Sequence, residues 1–207
     1  IVFFLGSIMF YTHALTQEAA LLLGSTPEII VQRVVAGRHD LIPLEYAEKI
    51  KKIRGVAEVR GRLWGYYYDP ISRANYTLVS SPDFDLEEQS IIIGEGIARV
   101  LNIQKGRTVR LRSIEGKFLN FKIKGVLSPE SSLVSSDLML IAADDFRKLF
   151  GIPVGLATDL VVTVRNKQES STIATKIDQI FPDSRPSTRD EILRTYDAVF
   201  DLRGGIV

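Results

Sequence analysis

The sequence contains few groups whose type and spacing could support catalysis. Gly94, Glu95 and Gly96 follow an apolar strand pattern, as in turns that bind dinucleotides, but Arg99 occupies the position of the third glycine. The helix predicted after this turn is also too short for such a site. The chain has no GxxxxGKS or GxxxxGKT sequence and no GxSxG motif. We therefore predict no cofactor and no hydrolysis of ATP by this chain.

The two histidines do not form a catalytic or metal-binding pattern. His13 lies in an apolar stretch, and His39 lies in a predicted loop beside Asp40. Neither belongs to an HExxH or HxxxH sequence, and the chain has no cysteine. A solvated or capping role is the simpler interpretation of His39. We predict no catalytic residue and no metal ligand.

One aromatic cluster is a candidate partner-binding surface. Trp64, Tyr66, Tyr67 and Tyr68 fall at the end of a predicted strand, just before a turn. Exposed aromatic side chains commonly anchor protein partners. Because alternate residues of a strand face opposite sides, about half of this cluster is expected to be buried. Trp64, Tyr66 and Tyr68 are the candidate partner contacts, and ordinary core packing is the alternative.

A group of basic residues forms a second candidate contact surface. Arg110 and Arg112 alternate with apolar residues along one predicted strand, and Lys122 and Lys124 do so along the next. In a hairpin of these strands, one face is apolar and the other is basic. The basic face suits an acidic partner. A plain solvated face is the alternative interpretation.

These candidates lie on or beside a β-rich module in the middle of the chain. Ile91–Ile93 is a short apolar run typical of a buried strand, and Gly94 ends it. Ile97, Val100 and Leu101 have helical spacing and predict a short helix with one apolar stripe. The strands that follow are predicted to bury Val109, Leu111, Leu119, Phe121, Ile123 and Leu127. A short strand over Leu138–Ile141 and a helix over Ala142–Phe150 complete the module.

Length and composition limit the classes of protein that need to be considered. A chain of 207 residues accommodates one substantial domain or two small ones that share a core. Hydrophobic residues make up 45% and charged residues 25%, which are ordinary globular values, so disorder is not expected. The formal net charge of +1 gives no long-range field for a polyanion, and nucleic acid is therefore not an expected partner.

Both ends of the chain resemble the approaches to membrane spans. Residues 1–17 contain no charged side chain and approach the length of about 17 apolar residues that a span requires. Thr188 and Glu191 have the spacing of a helix capping box, and an apolar helical stripe follows them. We expect the end of a first span with its stalk helix over residues 1–26, and a stalk helix leading to a second span over residues 188–207. A buried helix of a soluble protein is the alternative at the N-terminus.

The segments that flank the central module share a strand–helix–strand pattern. In the first, a strand over Glu28–Ala36, an amphipathic helix that starts at Pro43 and a strand over Val56–Tyr68 follow one another. In the second, a strand over Asp159–Arg165 precedes a helix lined by isoleucines and a short strand. Two such units around an insertion predict an α+β, split ferredoxin-like fold, in which neither half buries its sheet alone. The predicted limits are residues 27–85 and 151–187 for the split lobe and 86–150 for the inserted β-rich lobe.

Several short motifs, taken in order, resemble a known family. They are Val34–Arg38, Ile53–Val59, Ile92–Ala98 and Phe121–Val126. Together they are similar to the extracytoplasmic core domain of MacB-like ABC transporter permeases, a family that also holds lipoprotein-releasing permeases and, more distantly, the cell-division permease. The resemblance covers nearly the whole chain. One departure is Gly106-Arg107, where such domains often have Gly-Asp.

The resemblance implies an extracytoplasmic head between the first two spans of a four-span permease, with a porter-like lobe and an inserted β-rich lobe. This head would lie on the periplasmic side of the bacterial inner membrane. The implied partners are a cytoplasmic ABC ATPase, a second permease copy or paralogue, and a periplasmic adaptor or chaperone. ATP-driven motion would reach the head through the stalk helices and serve export, extraction or signalling.

Two other functions stay open on the sequence alone. A ligand-sensing ectodomain of a membrane receptor would also lie between two helices, and a soluble enzyme would bury its N-terminal helix. The segment that follows Val207 would distinguish a permease from a receptor. Further spans indicate a permease, whereas one span that leads to a signalling segment indicates a receptor.

Overall fold

The computed structural model describes residues 27–70, 72–80, 86–103, 105–127 and 136–195. These residues form a mixed α+β fold with one large sheet, which confirms the predicted fold class. The predicted first span and stalk helix, residues 1–26, lie outside the described residues. Among the helices of the described ranges, none is long and apolar enough to cross a membrane.

The described strands and helices agree closely with the sequence pattern. The strands are β1 (Ile29–Val35), β2 (Arg38–Asp40), β3 (Ile42–Pro43), β4 (Val56–Asp69), β5 (Ala74–Ser80), β6 (Ser90–Gly94), β7 (Thr108–Arg112), β8 (Phe118–Leu127), β9 (Leu138–Ile141), β10 (Leu156–Ala157), β11 (Asp159–Val164) and β12 (Ser184–Thr188). The helices are α1 (Glu45–Ile50), α2 (Glu95–Val100), α3 (Ala143–Phe150), α4 (Ser170–Ile180) and α5 (residues 189–195), with a 3-10 turn at Lys167–Glu169. Only the short strands β2, β3 and β10 were not predicted.

The flanking segments combine into a single ferredoxin-like sheet. Strands β12, β1, β11 and β4 lie side by side in this order, and each is antiparallel to its neighbour. The connection from β1 to β4 contains α1, and the connection from β11 to β12 contains α4. This is the predicted split β-α-β-β-α-β arrangement. Because β11 lies between β1 and β4, neither unit forms the sheet alone, and we term the combined unit the porter-like lobe.

The porter-like lobe has a hydrophobic core of its own. Alternate residues of β1 and β11 point to one side of the sheet, and both helices cover that side. The buried residues are Ile29, Val31, Leu160 and Val162 from the strands, and Ile50, Ile173 and Ile177 from the helices. Each fully buried side chain of this size stabilises the fold by about 1.5–3 kcal/mol. These contacts hold α1 and α4 on the sheet.

A polar network closes this core at one end. The Asp183 carboxylate accepts hydrogen bonds from Arg33 Nε at 2.9 Å and from Tyr46 Oη at 3.0 Å. The bond from Arg33 holds the pKa of Asp183 below its ordinary value, whereas burial raises the pKa of Tyr46. The Tyr46 ring also stacks on Phe181, with 3.9 Å between the ring centroids. The network ties β1, α1 and the turn before β12 together.

Strand β4 leaves the porter-like lobe and begins the inserted part of the sheet. Its residues 56–62 pair with β11, and its residues 63–69 pair with β5. Strands β9, β6, β8 and β7 follow β5 in this order. The sheet curves so that its last strand, β7, comes close to β4. Arg112 N on β7 donates a hydrogen bond of 2.8 Å to Tyr67 Oη on β4.

The inserted sheet and α3 enclose a second core. Its main buried residues are Leu63, Tyr76, Leu78, Ile91, Ile93, Phe121, Ile123, Met139, Ile141, Phe146 and Leu149. Gly65 lies against α3, and a Cβ atom there would touch the ring of Phe150 at 3.4 Å, an ordinary van der Waals contact. The rings of Phe146 and Phe150 stack beside this glycine, with centroids 4.4 Å apart. α3 therefore packs directly on β4 at this glycine.

Three details of the predicted helices were wrong. Val100 and Ile180 were expected to face inward but are exposed. Each is the last residue of its helix, and the next residue, Leu101 or Phe181, packs against the core instead. Pro43 does not start α1 but belongs to β3, which pairs with β10.

The residue limits predicted for the two lobes stay a prediction. Strand β4 belongs to the sheets of both lobes. Leu63, Tyr76 and Leu78 lie on the porter-like side of the predicted limit at residue 85, yet they pack in the second core. The second half of β4 and all of β5 thus contribute to the inserted module. The inserted module is therefore joined to the porter-like lobe through a continuous strand.

The chain enters and leaves the porter-like lobe at neighbouring points. Ile29 pairs with Thr188, and Arg189 N donates a hydrogen bond of 3.0 Å to Glu28 O. The predicted capping box is present: Thr188 N donates to Glu191 Oε2 at 2.9 Å, and Glu191 N donates to Thr188 Oγ1 at 3.3 Å. Helix α5 therefore starts directly beside the first strand.

A shared strand predicts that the two cores unfold together. Phe121→Ala empties part of the second core, and we expect it to lower the free energy of unfolding by about 3–5 kcal/mol. Phe118→Ala on the same strand is the matched control, because Phe118 is exposed and should change stability by less than about 1 kcal/mol. In urea, the fluorescence of Trp64 at the junction of the lobes and far-ultraviolet circular dichroism should report one coincident transition. Two separate transitions would contradict the prediction that the two cores unfold together.

Candidate functional site

Strand β4 brings the predicted aromatic contacts to the junction of the two lobes. Its odd-numbered residues from Val59 to Tyr67 face the two cores. The even-numbered residues face away from both cores, and they are Arg60, Arg62, Trp64, Tyr66 and Tyr68. The pairing partner of β4 changes at Leu63 from β11 to β5. The junction is thus the point at which the sheet passes from one lobe into the other.

Asp159, the first residue of β11, is fully buried at this junction. Its carboxylate accepts hydrogen bonds from Arg62 Nε at 2.9 Å and from Arg62 Nη2 at 2.6 Å. Trp64 Nε1 donates a third hydrogen bond of 2.8 Å to the same carboxylate. Loss of one partner of a fully buried ion pair costs about 3–5 kcal/mol, and less where a partner such as Arg62 is partly exposed. The pair holds β11 against β4 where the lobes meet.

Thr158 continues the pairing of β4 beyond the start of β11. Its hydroxyl accepts a hydrogen bond from Trp64 N at 3.1 Å and donates one to Trp64 O at 3.0 Å. Its backbone N donates to Arg62 O at 2.9 Å. One side chain therefore satisfies both backbone groups of Trp64, where β11 no longer supplies a partner. This pairing keeps β4 extended as it changes sheets.

The structure separates the aromatic cluster into buried and exposed members. Tyr67 packs against the second core, as strand alternation predicted. Trp64 is half-buried, and the edge of its ring meets Tyr66, with 5.8 Å between the centroids. Tyr66 and Tyr68 are 69% and 56% exposed. Core packing thus explains Tyr67, while partner contact stays a prediction for Trp64, Tyr66 and Tyr68.

The basic residues lie together on the exposed face of one hairpin. Arg110 and Arg112 on β7, and Lys122 and Lys124 on β8, are all exposed, whereas the residues between them face the second core. Lys124 Nζ lies 2.7 Å from Glu87 Oε2. The hydrogen bond and charge of Lys124 hold the pKa of Glu87 below its ordinary value, and Lys122 adds to this effect. Contact with an acidic partner stays a prediction for this face.

His39 does not lie in a loop, as the sequence suggested, but in β2. It is exposed, its Nε2 lies 3.0 Å from Thr158 O, and its ring centroid lies 6.1 Å from that of Trp64. His39 therefore supports the junction from one side. Among the described residues, no group of three or more acidic, histidine or cysteine side chains is placed to hold a metal ion.

The junction residues Arg62, Thr158 and Asp159 were missed by the sequence interpretation. Arg62 and Asp159 are 97 residues apart in the chain, so no local pattern connects them. One signal was present in the sequence. Asp159 opens the otherwise apolar strand Asp159–Val164, and a carboxylate at the start of a buried strand needs a cationic partner.

Two solved structures have a similar fold. The periplasmic region of MacB from Actinobacillus actinomycetemcomitans matches at 11% sequence identity and a TM-score of 0.54, over 83% of this chain and 93% of that chain. The extracellular domain of the noncanonic ABC-type transporter YknZ from Gram-positive bacteria matches at 12% identity and a TM-score of 0.52, over 79% and 100%. No family model and no curated protein matches the sequence. The predicted resemblance is thus confirmed at the level of the fold.

The junction predicts a specific role for the hydroxyl of Thr158. Thr158→Val leaves the backbone N–H and C=O of Trp64 without their partner, and we expect the free energy of unfolding in urea to fall by about 1–3 kcal/mol. Thr163→Val is the matched control, because Thr163 is partly exposed and its hydroxyl makes no hydrogen bond within the described part of the chain. This control should change stability by less than about 0.5 kcal/mol. Equal losses in the two variants would exclude the proposed role.

Proposed function

We propose that this chain is the extracytoplasmic head of an ABC transporter permease, and that it transmits motion without catalysing a reaction. The main support is that the chain enters and leaves the head side by side, at Glu28 and Arg189. A stalk helix predicted before Glu28 and α5 would be attached at adjacent points and would move the head as one body. The fold shared with the MacB and YknZ domains supports a setting outside the cytoplasm.

The contact at the base of the head suits a part that changes its arrangement. Arg189 Nη2 lies 3.6 Å from Glu28 Oε1, which is long for an ion pair in a mostly buried position. Arg189 Nε is buried and has no hydrogen-bond partner among the described groups. An incompletely satisfied buried group lowers the stability of its present arrangement. A second arrangement of α5 against β1 is therefore accessible at small cost, as a two-state movement requires.

Motion at the base would reach the inserted module through β4. Val59 lies level with Ile29, because both pair with Val162 on β11. From Val59 to Tyr68, β4 runs about 30 Å away from this level, at about 3.3 Å per residue. The junction at Asp159 fixes this strand to the porter-like lobe on the way. A displacement of the base would thus move the distal aromatic residues without a hinge between the lobes.

The proposal includes partners on both sides of a membrane. A cytoplasmic ABC ATPase, separate or fused, would supply the motion, and a second permease copy or paralogue would receive the same motion. The flanking spans would hold the head on the outer side of the bacterial cytoplasmic membrane. Paired heads would then squeeze, release or signal to a periplasmic adaptor or chaperone, in export, extraction or signalling.

A cross-linking experiment on the whole transporter tests this function. These 207 residues contain no cysteine, so Arg194→Cys on the exposed side of α5 introduces a unique site in the head, and any cysteine elsewhere in the transporter is replaced by serine. We expect the yield of the cross-link between two permease copies to differ between the nucleotide-free and ATP-bound transporter. The difference should shrink in Arg189→Gln, which removes the charged contact with Glu28.

The matched control is Lys176→Cys, on the exposed side of α4 and away from the stalk. It reports general changes in labelling or assembly. An identical cross-linking pattern of Arg194→Cys with and without ATP would count against transmission through α5.

A further inference from the structure

We propose that the exposed face of the β7–β8 hairpin binds an acidic protein segment that also carries an apolar side chain. This hairpin face consists of Arg110, Arg112, Phe118, Lys122 and Lys124. The expectation that the partner is an extracytoplasmic protein rests on the proposed function. The binding itself does not, because it follows from the charges and shape of the face.

The first argument is unpaired charge. Lys124 has an ion-pair partner in Glu87, whose carboxylate Lys122 also attracts, whereas Arg110 and Arg112 have no ion-pair partner among the described residues. The whole chain has a net charge of only +1, so this face carries a local excess of positive charge. A local excess of one sign accelerates and orients the approach of a partner of opposite sign.

The second argument is the apolar part of the same face. Phe118 pairs with Arg112 on this face and is 57% exposed. The guanidinium carbon of Arg110 lies 4.7 Å from the centroid of the Phe118 ring, so the cation covers one side of the ring. A purely solvated face needs charges but no exposed aromatic ring. Arginine beside an aromatic ring is typical of the residues that contribute most to binding at protein interfaces.

The face is also preorganised. The opposite side of the hairpin is fixed in the second core by Val109, Leu111, Phe121 and Ile123. Little conformational entropy is therefore lost by the backbone on binding. Arg112 N already donates to Tyr67 Oη, so the outer edge of β7 is occupied at this position. A partner would thus bind to the side chains of the face rather than add a strand at Arg112.

The position of the face favours a protein over lipid headgroups. Tyr67, whose hydroxyl accepts the bond from Arg112 N, lies eight residues along β4 from Val59. This corresponds to about 26 Å from the level of Ile29, where the chain enters the lobe. Electrostatic attraction at physiological salt extends only about 8 Å. Headgroups at the base of the head would therefore not reach the hairpin face.

The binding test uses the full 207-residue chain in a nonionic detergent, without ATP or an ATPase, so that it stands apart from the test of the proposed function. Two fluorescein-labelled peptides of equal length serve as probes. One contains glutamates and two leucines, and the other contains glutamates and two serines. Fluorescence anisotropy should show tighter binding of the leucine peptide, and salt should weaken both.

Variants assign the binding to the face. Arg110→Glu combined with Lys122→Glu should weaken binding about tenfold or more, and Phe118→Ala should remove the preference for the leucine peptide. Lys51→Glu combined with Lys52→Glu is the matched control, because it makes the same charge change on exposed residues after α1. This control should leave binding unchanged. If charge reversal disturbs folding, Arg110→Gln with Lys122→Gln provides the same comparison.

Three results would overturn the proposal. Equal weakening in the control and in the hairpin variant would show that only the overall charge matters. Binding of phosphatidylglycerol vesicles through this face, without peptide binding, would assign the face to lipid. Self-association in sedimentation experiments that is lost in the hairpin variant, again without peptide binding, would assign it to a second copy.

Discussion

The rest of the structure depends on one strand that two hydrophobic cores share. β4 is 14 residues long, and its first half completes the porter-like sheet while its second half begins the inserted sheet. A strand that changes partners tends to bend at the change, because one edge loses its backbone hydrogen bonds. Here the Thr158 hydroxyl replaces the missing backbone partner, and the buried Asp159 binds Arg62 and Trp64 from the same edge. The junction therefore stays extended.

This constraint separates the rigid part of the molecule from the part that can rearrange. Between the lobes, the polar groups of the junction are paired, and the two cores lie on the same side of β4. At the base, Arg189 Nε is buried without a hydrogen-bond partner in the described part of the chain, and the contact of Arg189 with Glu28 is long. The proposed function therefore assigns the movement to the base rather than to the junction between the lobes. In the proposed function, a displacement of α5 would move the exposed tyrosines and the hairpin face together with the porter-like lobe.

Local patterns were sufficient to predict most of the elements, and long-range contacts were not. The alternation of β7 and β8 correctly predicted one apolar and one basic face, and Thr188 with Glu191 correctly predicted the start of α5. The pairing of Arg62 with Asp159 was missed, because it joins residues 97 positions apart. Membership of β4 in both cores was missed because an alternating strand shows which residues are buried but not what buries them.

The most direct test of rigid coupling is a distance measurement between the lobes by pulsed electron paramagnetic resonance. In this cysteine-free chain, Lys176→Cys on α4 and Val100→Cys on α2 place one exposed spin label on each lobe. The account predicts the same distance distribution within one chain in the nucleotide-free and ATP-bound transporter, while labels at position 194 in two permease copies change their separation. A nucleotide-dependent change in the distance between the two lobes of one chain would contradict it.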